Sequence, residues 1–288
     1  MTKPIVKSFF DPATNTITHI AYDQASKEAV ILDPVLGYCE ASGRTNTALA
    51  DQLIEFIVAN DLTTKYIIET HAHADHLSSA PYLKEKLGGQ TVIGTHIDAV
   101  QKVFGDVFNA EDEFATDGSQ FDVLVKDGQK FTLGAIEITA IHTPGHTPAC
   151  MSWLIGDAVF VGDTLFMPDY GTARCDFPGG SAETLYKSIQ KLFTLPDETR
   201  VFLCHDYKAP GRDEFVWETT IGEEKRNNKH VGKGADMDSF VKMRTERDAG
   251  LDMPKLILPS VQVNMRAGEF PPADDNGTTY LKIPLNAL

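Results

Sequence analysis

The run His71-Ala72-His73-Ala74-Asp75-His76 gathers three of the chain's nine histidines and a carboxylate into six residues. Neutral imidazoles and carboxylates are the donors that a borderline divalent metal takes. Incidental histidines on a polar loop would not alternate with alanines in this way, so the run is read as a metal-binding segment. Three more candidates lie downstream. His146 stands in His142-Thr143-Pro144-Gly145-His146-Thr147, where Pro144-Gly145 signals a tight turn that can present it. Asp163 follows Val161-Gly162, and Gly162 permits a close backbone approach. His205 stands in Leu203-Cys204-His205-Asp206-Tyr207.

Each of these residues follows a run rich in Val, Ile or Phe. Strands are predicted over 65–69, 136–141, 158–161 and 200–203, so four strand ends are expected to converge on one point. Loops at strand ends are where open α/β structures place their sites. Further strands are expected over 5–10, 16–22, 29–32, 91–94, 121–125 and 151–155, with helices over 46–60, 80–87, 97–103, 182–193 and 237–248. Strands in runs, interrupted by helices, predict stacked sheets covered by helices. The expectation is one large α/β domain over residues 1–288, with an irregular appendage over about 237–288, of which 264–288 is rich in Pro and Gly.

The chain has 288 residues, 42% of them hydrophobic, and a formal net charge of −15. That charge repels a phosphate backbone, so nucleic acid is excluded as a partner. No stretch approaches the roughly 20 apolar residues of a membrane helix, and no signal segment opens the chain, so a cytoplasmic location is expected. Cys39, Cys150, Cys175 and Cys204 are widely spaced, with no CxxC pair, which fits a reducing compartment. Cys150 and Cys204 are read as core. Cys175 is the one cysteine beside a candidate site residue. His19, His96 and His142 have no partners in the ligand pattern.

The order HAHADH, TPGHT, GDT and a strand-end histidine over residues 71–205 resembles the metallo-β-lactamase superfamily. The resemblance implies an αβ/βα four-layer sandwich with metal at the sheet edges. It assigns His71, His73 and His146 to one metal and Asp75, His76 and His205 to a second, with Asp163 bridging. A full set of that kind implies a two-zinc hydrolase such as glyoxalase II, which acts on a glutathione thioester. Further segments are similar to the persulfide dioxygenases: Gly171-Thr172-Ala173-Arg174-Cys175-Asp176-Phe177, His205-Asp206-Tyr207, Phe240-Val241-Lys242, and Asn264-Met265-Arg266-Ala267-Gly268. The similarity runs over roughly residues 5–268 and departs after Gly268 and in the longer stretch 98–126.

That second resemblance implies a mononuclear non-haem Fe(II) enzyme that oxidises glutathione persulfide with O2 to sulfite and glutathione. His71, His146 and Asp163 would hold one iron per chain, a two-histidine, one-carboxylate face with open positions. His73, Asp75, His76 and His205 would then support the ligands. The alternative is two Zn(II) per chain in a glyoxalase II-like thioester hydrolase. A non-enzymatic metal or persulfide sensor on the same fold is the alternative of another class. Arg174 is expected to steady the anionic substrate or orient Asp176, and Tyr207 to contact glutathione. An acidic protein needs local cations for such a substrate, and Lys225, Arg226, Lys229 and His230 are the candidate cluster. Arg266 is expected to tie the tail to the domain, and a homodimer is the expected assembly.

Overall fold

The computed structural model describes residues 3–287. The β-branched runs fold into two six-stranded sheets and one small three-stranded sheet. The first large sheet runs Ile5–Asp11, Thr16–Tyr22, Glu28–Leu32, Thr63–Ile68, Gln90–Gly94, Val123–Val125. Its first three strands are antiparallel neighbours and the remaining pairings are parallel. The second runs Lys130–Leu133, Ile136–His142, Met151–Ile155, Ala158–Phe160, Arg200–Phe202, Glu218–Thr220. There only Ala158–Phe160 and Arg200–Phe202 pair in parallel. The small sheet joins Val35–Cys39 to Arg44–Asn46 and Leu77–Ser78.

The inner faces of the large sheets meet in one core, where Val30, Leu32, Ile68 and Val92 of the first touch Ile138, Trp153, Phe160 and Phe202 of the second. Helices cover both outer faces. Leu53 and Ile57 of helix Ala48–Ala59 and Leu83 of helix Ala80–Leu87 pack on Ile20, Ile31 and Ile67. On the other side Leu185, Ile189 and Leu192 of helix Ala182–Leu192 pack on Val159, Val161, Val201 and Leu203, with Phe240 of helix Met237–Asp248 against them. Burying each such side chain stabilises the fold by about 1.5–3 kcal/mol. The result is the helix–sheet–sheet–helix order that the resemblance implied.

Within residues 237–288 the expected helix Met237–Asp248 forms, and a second helix, Ile257–Asn264, interrupts the stretch expected to be irregular. The second was not anticipated, since Pro259 interrupts its apolar pattern. Proline is tolerated in a first helical turn, where its missing N–H would have no partner. From Met265 to Ala287 there is no further helix or strand. Helix Ile97–Val107 runs one turn past its expected end, and Lys130–Leu133, Glu218–Thr220 and helix Ile221–Asn227 were also missed. None of the described helices is long and apolar enough to cross a membrane.

Candidate metal centre

The four strand ends do converge. Thr63–Ile68 leads to His71, Ile136–His142 to His146, Ala158–Phe160 to Asp163, and Arg200–Phe202 to His205. His71, His146 and Asp163 bring their ligand atoms within 4.8 Å of one another, and all three are buried. His205 Nε2 lies 3.3 Å from Asp163 Oδ1 and 3.2 Å from Asp75 Oδ2. The His71 and His73 ring centres are 4.0 Å apart, and those of His73 and His76 are 4.2 Å apart.

The hydrogen bonds fix which nitrogen of each imidazole is free. The Thr70 hydroxyl donates to Asp33 Oδ2 at 3.0 Å, so at 3.0 Å from His71 Nδ1 it can only accept. His71 therefore carries its proton on Nδ1 and keeps a lone pair on Nε2. His146 Nδ1–H donates to the Arg174 carbonyl at 2.8 Å, and His76 Nδ1–H to the Leu77 carbonyl at 3.2 Å. His205 Nδ1–H faces the Asn15 carbonyl at 3.3 Å. His73 is reversed: its Nε2–H donates to Asp33 Oδ1 at 2.9 Å, which frees Nδ1. Such orientation of the far nitrogen is how proteins aim metal-binding imidazoles.

The atoms left over are His71 Nε2, His73 Nδ1, His76 Nε2, His205 Nε2, Asp75 Oδ2 and Asp163 Oδ1, each buried and without a hydrogen-bond partner among the described residues. Each such orphan costs about 1–3 kcal/mol. A cluster of lone pairs and carboxylate oxygens is relieved by a cation, so the residues present fit a bound divalent metal. Burial, reinforced by the surrounding histidines, holds His71 well below the ordinary imidazole pKa and takes His76 down to about 3. Both are neutral at pH 7, as ligands must be.

Several supporting residues were not visible in the sequence. Asp33 takes the Thr70 backbone N–H at 2.7 Å as well as the Thr70 hydroxyl and His73. Glu69 Oε2 lies 3.4 Å from the same His73 Nε2. Asn264 Nδ2 donates to the carbonyls of His73 and His76 at 2.9 and 2.7 Å, and its Oδ1 accepts from Ser78 N at 2.8 Å. The C-terminal helix thus clamps the histidine loop. Cys204, read as core, is buried and places its sulfur within 4.8 Å of ligand atoms of His73 and His205.

Two glycines allow the loops to close. Gly162 has φ +49°, and a Cβ there would lie 2.6 Å from Thr70 Oγ1. Gly145 has φ +140°, and a Cβ would meet the Leu185 backbone at 2.4 Å. Gly145→Ala is expected to destabilise the fold by on the order of 3 kcal/mol, combining overpacking with backbone strain. Metal content should fall with it, because His146 is the next residue. Thermal unfolding and metal analysis of that variant within error of wild type would refute this account of Gly145.

A cavity of about 500 Å³ opens from Asp75, His146 and Asp163. Phe166, Tyr170, Phe177, Tyr207 and Tyr38 give it aromatic walls, and Arg174, Arg244, Arg247 and Lys255 line it too. Tyr207 stacks on the His205 ring at 5.6 Å, and Phe177 meets the His146 ring edge-on at 5.0 Å. Arg174 is bound to Asp176 through Nε and Nη2, both at 2.6 Å, so its guanidinium orients Asp176 while its carbonyl orients His146. The expected cation cluster is corrected. Lys225 pairs with Asp197 and Arg226 with Glu223, and neither lines the cavity. Lys229 stacks on Tyr170 at 5.3 Å, and His230 Nδ1 accepts from Thr172 N at 3.0 Å.

The remaining singled-out residues have plain roles. Burial pushes the Cys175 and Cys150 thiols up to about 12, so neither is a thiolate near neutrality. His142 Nε2–H donates to the Pro148 carbonyl at 2.9 Å, and its ring stacks on His96 at 4.3 Å. His19 is buried between Ser8 and the Leu203 carbonyl. Arg266 grips Glu111 with two nitrogens and lies over Phe114 at 4.3 Å, tying the tail to the 108–122 segment.

Comparison with known proteins identifies the family. The family model of the metallo-beta-lactamase superfamily matches residues 25–205. A probable metallo-hydrolase of Burkholderia pseudomallei is 55% identical, over 98% of this chain and 99% of its own. Glyoxylase B2 of Dictyostelium discoideum is 53% identical, over 93% of this chain and 92% of its own. The mitochondrial persulfide dioxygenase of Homo sapiens is 31% identical, over 92% of this chain and 89% of its own.

Proposed function

Because this chain belongs to the metallo-β-lactamase superfamily, we propose that it is a metal-dependent sulfur dioxygenase, which oxidises glutathione persulfide with O2 at one non-haem Fe(II). One O2 and one water would be consumed for each glutathione and sulfite formed, with two protons released. The observation that carries the reading is local. The segments resembling persulfide dioxygenases are the ones that hold the ligands: the Arg174 carbonyl fixes His146, Phe177 covers its ring, and Asn264 clamps the backbone of His73 and His76.

His71 Nε2, His146 Nε2 and an Asp163 oxygen would hold the iron. When bound on such a face, Fe(II) supplies the one-electron chemistry that O2 requires and leaves positions open for substrate. The protein does the rest. Asp33, Thr70 and Arg174 hold the imidazoles in the ligating tautomer. Phe166, Tyr170 and Tyr207 wall the cavity beside the ligands and would hold the substrate against them. Asp75 lines the cavity with the buried His205 3.2 Å behind it, placed to take or return a proton.

A second reading is favoured by specific observations. The free nitrogens of His76 and His205 and the free oxygen of Asp75 suit a second metal, with the free nitrogen of His73 joining the first, and the relatives at 55% and 53% identity carry hydrolase-type names. That reading is a glyoxalase II-like enzyme with two zincs. Metal analysis of the purified protein, with O2 uptake on glutathione persulfide run beside hydrolysis of a glutathione thioester, separates them. The dioxygenase reading expects one iron per chain and O2 uptake stoichiometric with sulfite. Two zincs, thioester turnover and no O2 uptake would transfer the assignment to the hydrolase.

A further inference from the structure

The large cavity has a small neighbour. A second cavity, of about 20 Å³, lies beside the same His146 ring. Val100 and Phe104 of helix Ile97–Val107, Val261 of helix Ile257–Asn264 and Ala72 of the histidine loop line it, and all four are buried. Ala74, His146 and Phe177 line both cavities, so these three side chains form the partition between them.

One water needs about 10–15 Å³ of such space, so the chamber takes one small molecule and no part of a tripeptide. It also offers a water nothing to hold. Its polar side chains are Thr147 and His146, and both are already engaged. The Thr147 hydroxyl meets Cys150 Sγ at 3.1 Å and Ala149 N at 3.3 Å. His146 spends Nδ1–H on the Arg174 carbonyl and turns Nε2 toward Asp163. A buried water requires about two to four polar partners, and apolar cavities without them stay dry and bind apolar guests such as xenon. The surroundings are apolar as well: Val100, Phe104 and Val261 cluster with Ile97, Phe108 and Phe121, apart from the core between the sheets. Val100 and Phe104 fall in the stretch 98–126, where this chain departs from the persulfide dioxygenase pattern. Neither the ligand motifs nor the large cavity draws on that stretch.

We propose that this chamber is a dioxygen site, a dry apolar pocket that holds O2 beside the His146 ring while a substrate fills the larger cavity across the partition. The two spaces differ as the two reactants do. A tripeptide persulfide is long and anionic, and in the large cavity it covers the approach to the ligands from that side. O2 is diatomic and apolar, and moves from water into an apolar enclosure of its own size. The chamber binds and releases O2 unchanged, so the stoichiometry given above stands. The proposal rests on the dioxygenase reading for the identity of the gas and on the cavity alone for its binding.

Xenon tests the cavity without turnover. Crystals of the metal-loaded enzyme pressurised with xenon are expected to hold the gas between Val100, Phe104 and Val261, and Val100→Phe, which fills the space, is expected to lose it. Steady-state O2 uptake tests the role. In Val100→Phe, kcat/KM for O2 should fall by about 3- to 10-fold, with kcat at saturating O2 and KM for glutathione persulfide retained, because only the access of one reactant is impaired. Val100→Leu, and Val261→Leu from the other helix, should show smaller falls of the same kind, so the test survives a phenylalanine variant that does not fold. Xenon absent from wild type, filled variants with the O2 dependence of wild type, or a parallel rise in KM for the persulfide would each overturn the chamber. Wild type that binds xenon but takes up no O2 would overturn the dioxygenase reading, and the assignment of O2 to the chamber with it.

Discussion

Asp163→Ala is expected to strip the protein of its metal and reduce turnover by well over 100-fold. The carboxylate sits between both halves of the site, with Oδ2 3.6 Å from His146 Nε2 and Oδ1 3.3 Å from His205 Nε2. It is the single anion in the His71–His146–Asp163 group. Losing a residue that merely supports a ligand lowers metal affinity or activity by about 10–100-fold, and losing the charged ligand itself must exceed that. The two imidazoles of that group, without this carboxylate, would have to stabilise a divalent cation by lone pairs alone. The fold should survive, because the strands and turns that bring Asp163 to the site are held by backbone pairing and by Gly162. Metal analysis after gel filtration, with circular dichroism on the same sample, checks the prediction. Full metal retention would place Asp163 outside the ligand set under either functional reading.

The candidate ligands were legible because the sequence states them locally. Each follows a short β-branched run, and a strand end followed by a donor residue is a pattern confined to a few positions. The residues that hold them were not legible, because their partners come from pairing between distant segments. Asp33 and Glu69 illustrate this. Glu28–Leu32 and Thr63–Ile68 pair in parallel with Leu32 opposite Ile68, so the residues following both strands emerge side by side. In the sequence Asp33-Pro34 carries only the signature of a turn, whereas parallel neighbours ending in register identify Asp33 as a partner of the 69–73 segment. Asn264 was seen as part of a family-like stretch, but its reach to the histidine loop depends on a helix that Pro259 concealed.

The cations failed for a different reason. Lys225, Arg226, Lys229 and His230 form a dense run that reads as a cation cluster, but Lys225 and Arg226 lie on helix Ile221–Asn227 and are spent on Asp197 and Glu223. Arg247 is one charge among many on helix Met237–Asp248, whose sequence has no clear apolar face. Its placement follows from Phe240 docking beside Leu185 and Ile189, a contact between segments some 50 residues apart in the chain. Charge density in sequence therefore misidentified the cavity wall, which the packing of distant segments sets.

Asp33→Ala is expected to destabilise the protein by about 3–5 kcal/mol, the cost of breaking a buried charged network by removing one partner. The side chain is buried and answers three donors: Thr70 N at 2.7 Å, the Thr70 hydroxyl at 3.0 Å and His73 Nε2 at 2.9 Å. Alanine leaves the Thr70 N–H without an acceptor and the Thr70 hydroxyl without its carboxylate at a buried site, and leaves His73 only Glu69 Oε2 at 3.4 Å. The backbone adds to the loss, because Asp33 has φ +50°, a conformation that aspartate tolerates better than alanine. At about 2 °C per kcal/mol for a chain of this size, Tm should fall by roughly 6–10 °C. Asp33→Asn separates shape from charge. It keeps one accepting oxygen but turns an amide N–H toward donors, so it should fall between wild type and Asp33→Ala. The metal responds as well, since Thr70 no longer anchored by Asp33 is free to donate to His71 Nδ1, and the lone pair at Nε2 is then no longer assured. Metal affinity should drop by about 10–100-fold, so the difference in Tm between metal-loaded and metal-free protein should shrink in the variant. A Tm within 2 °C of wild type in both states would show that Asp33 bears none of this burden, and that the histidine loop is held by Asn264 and the backbone alone.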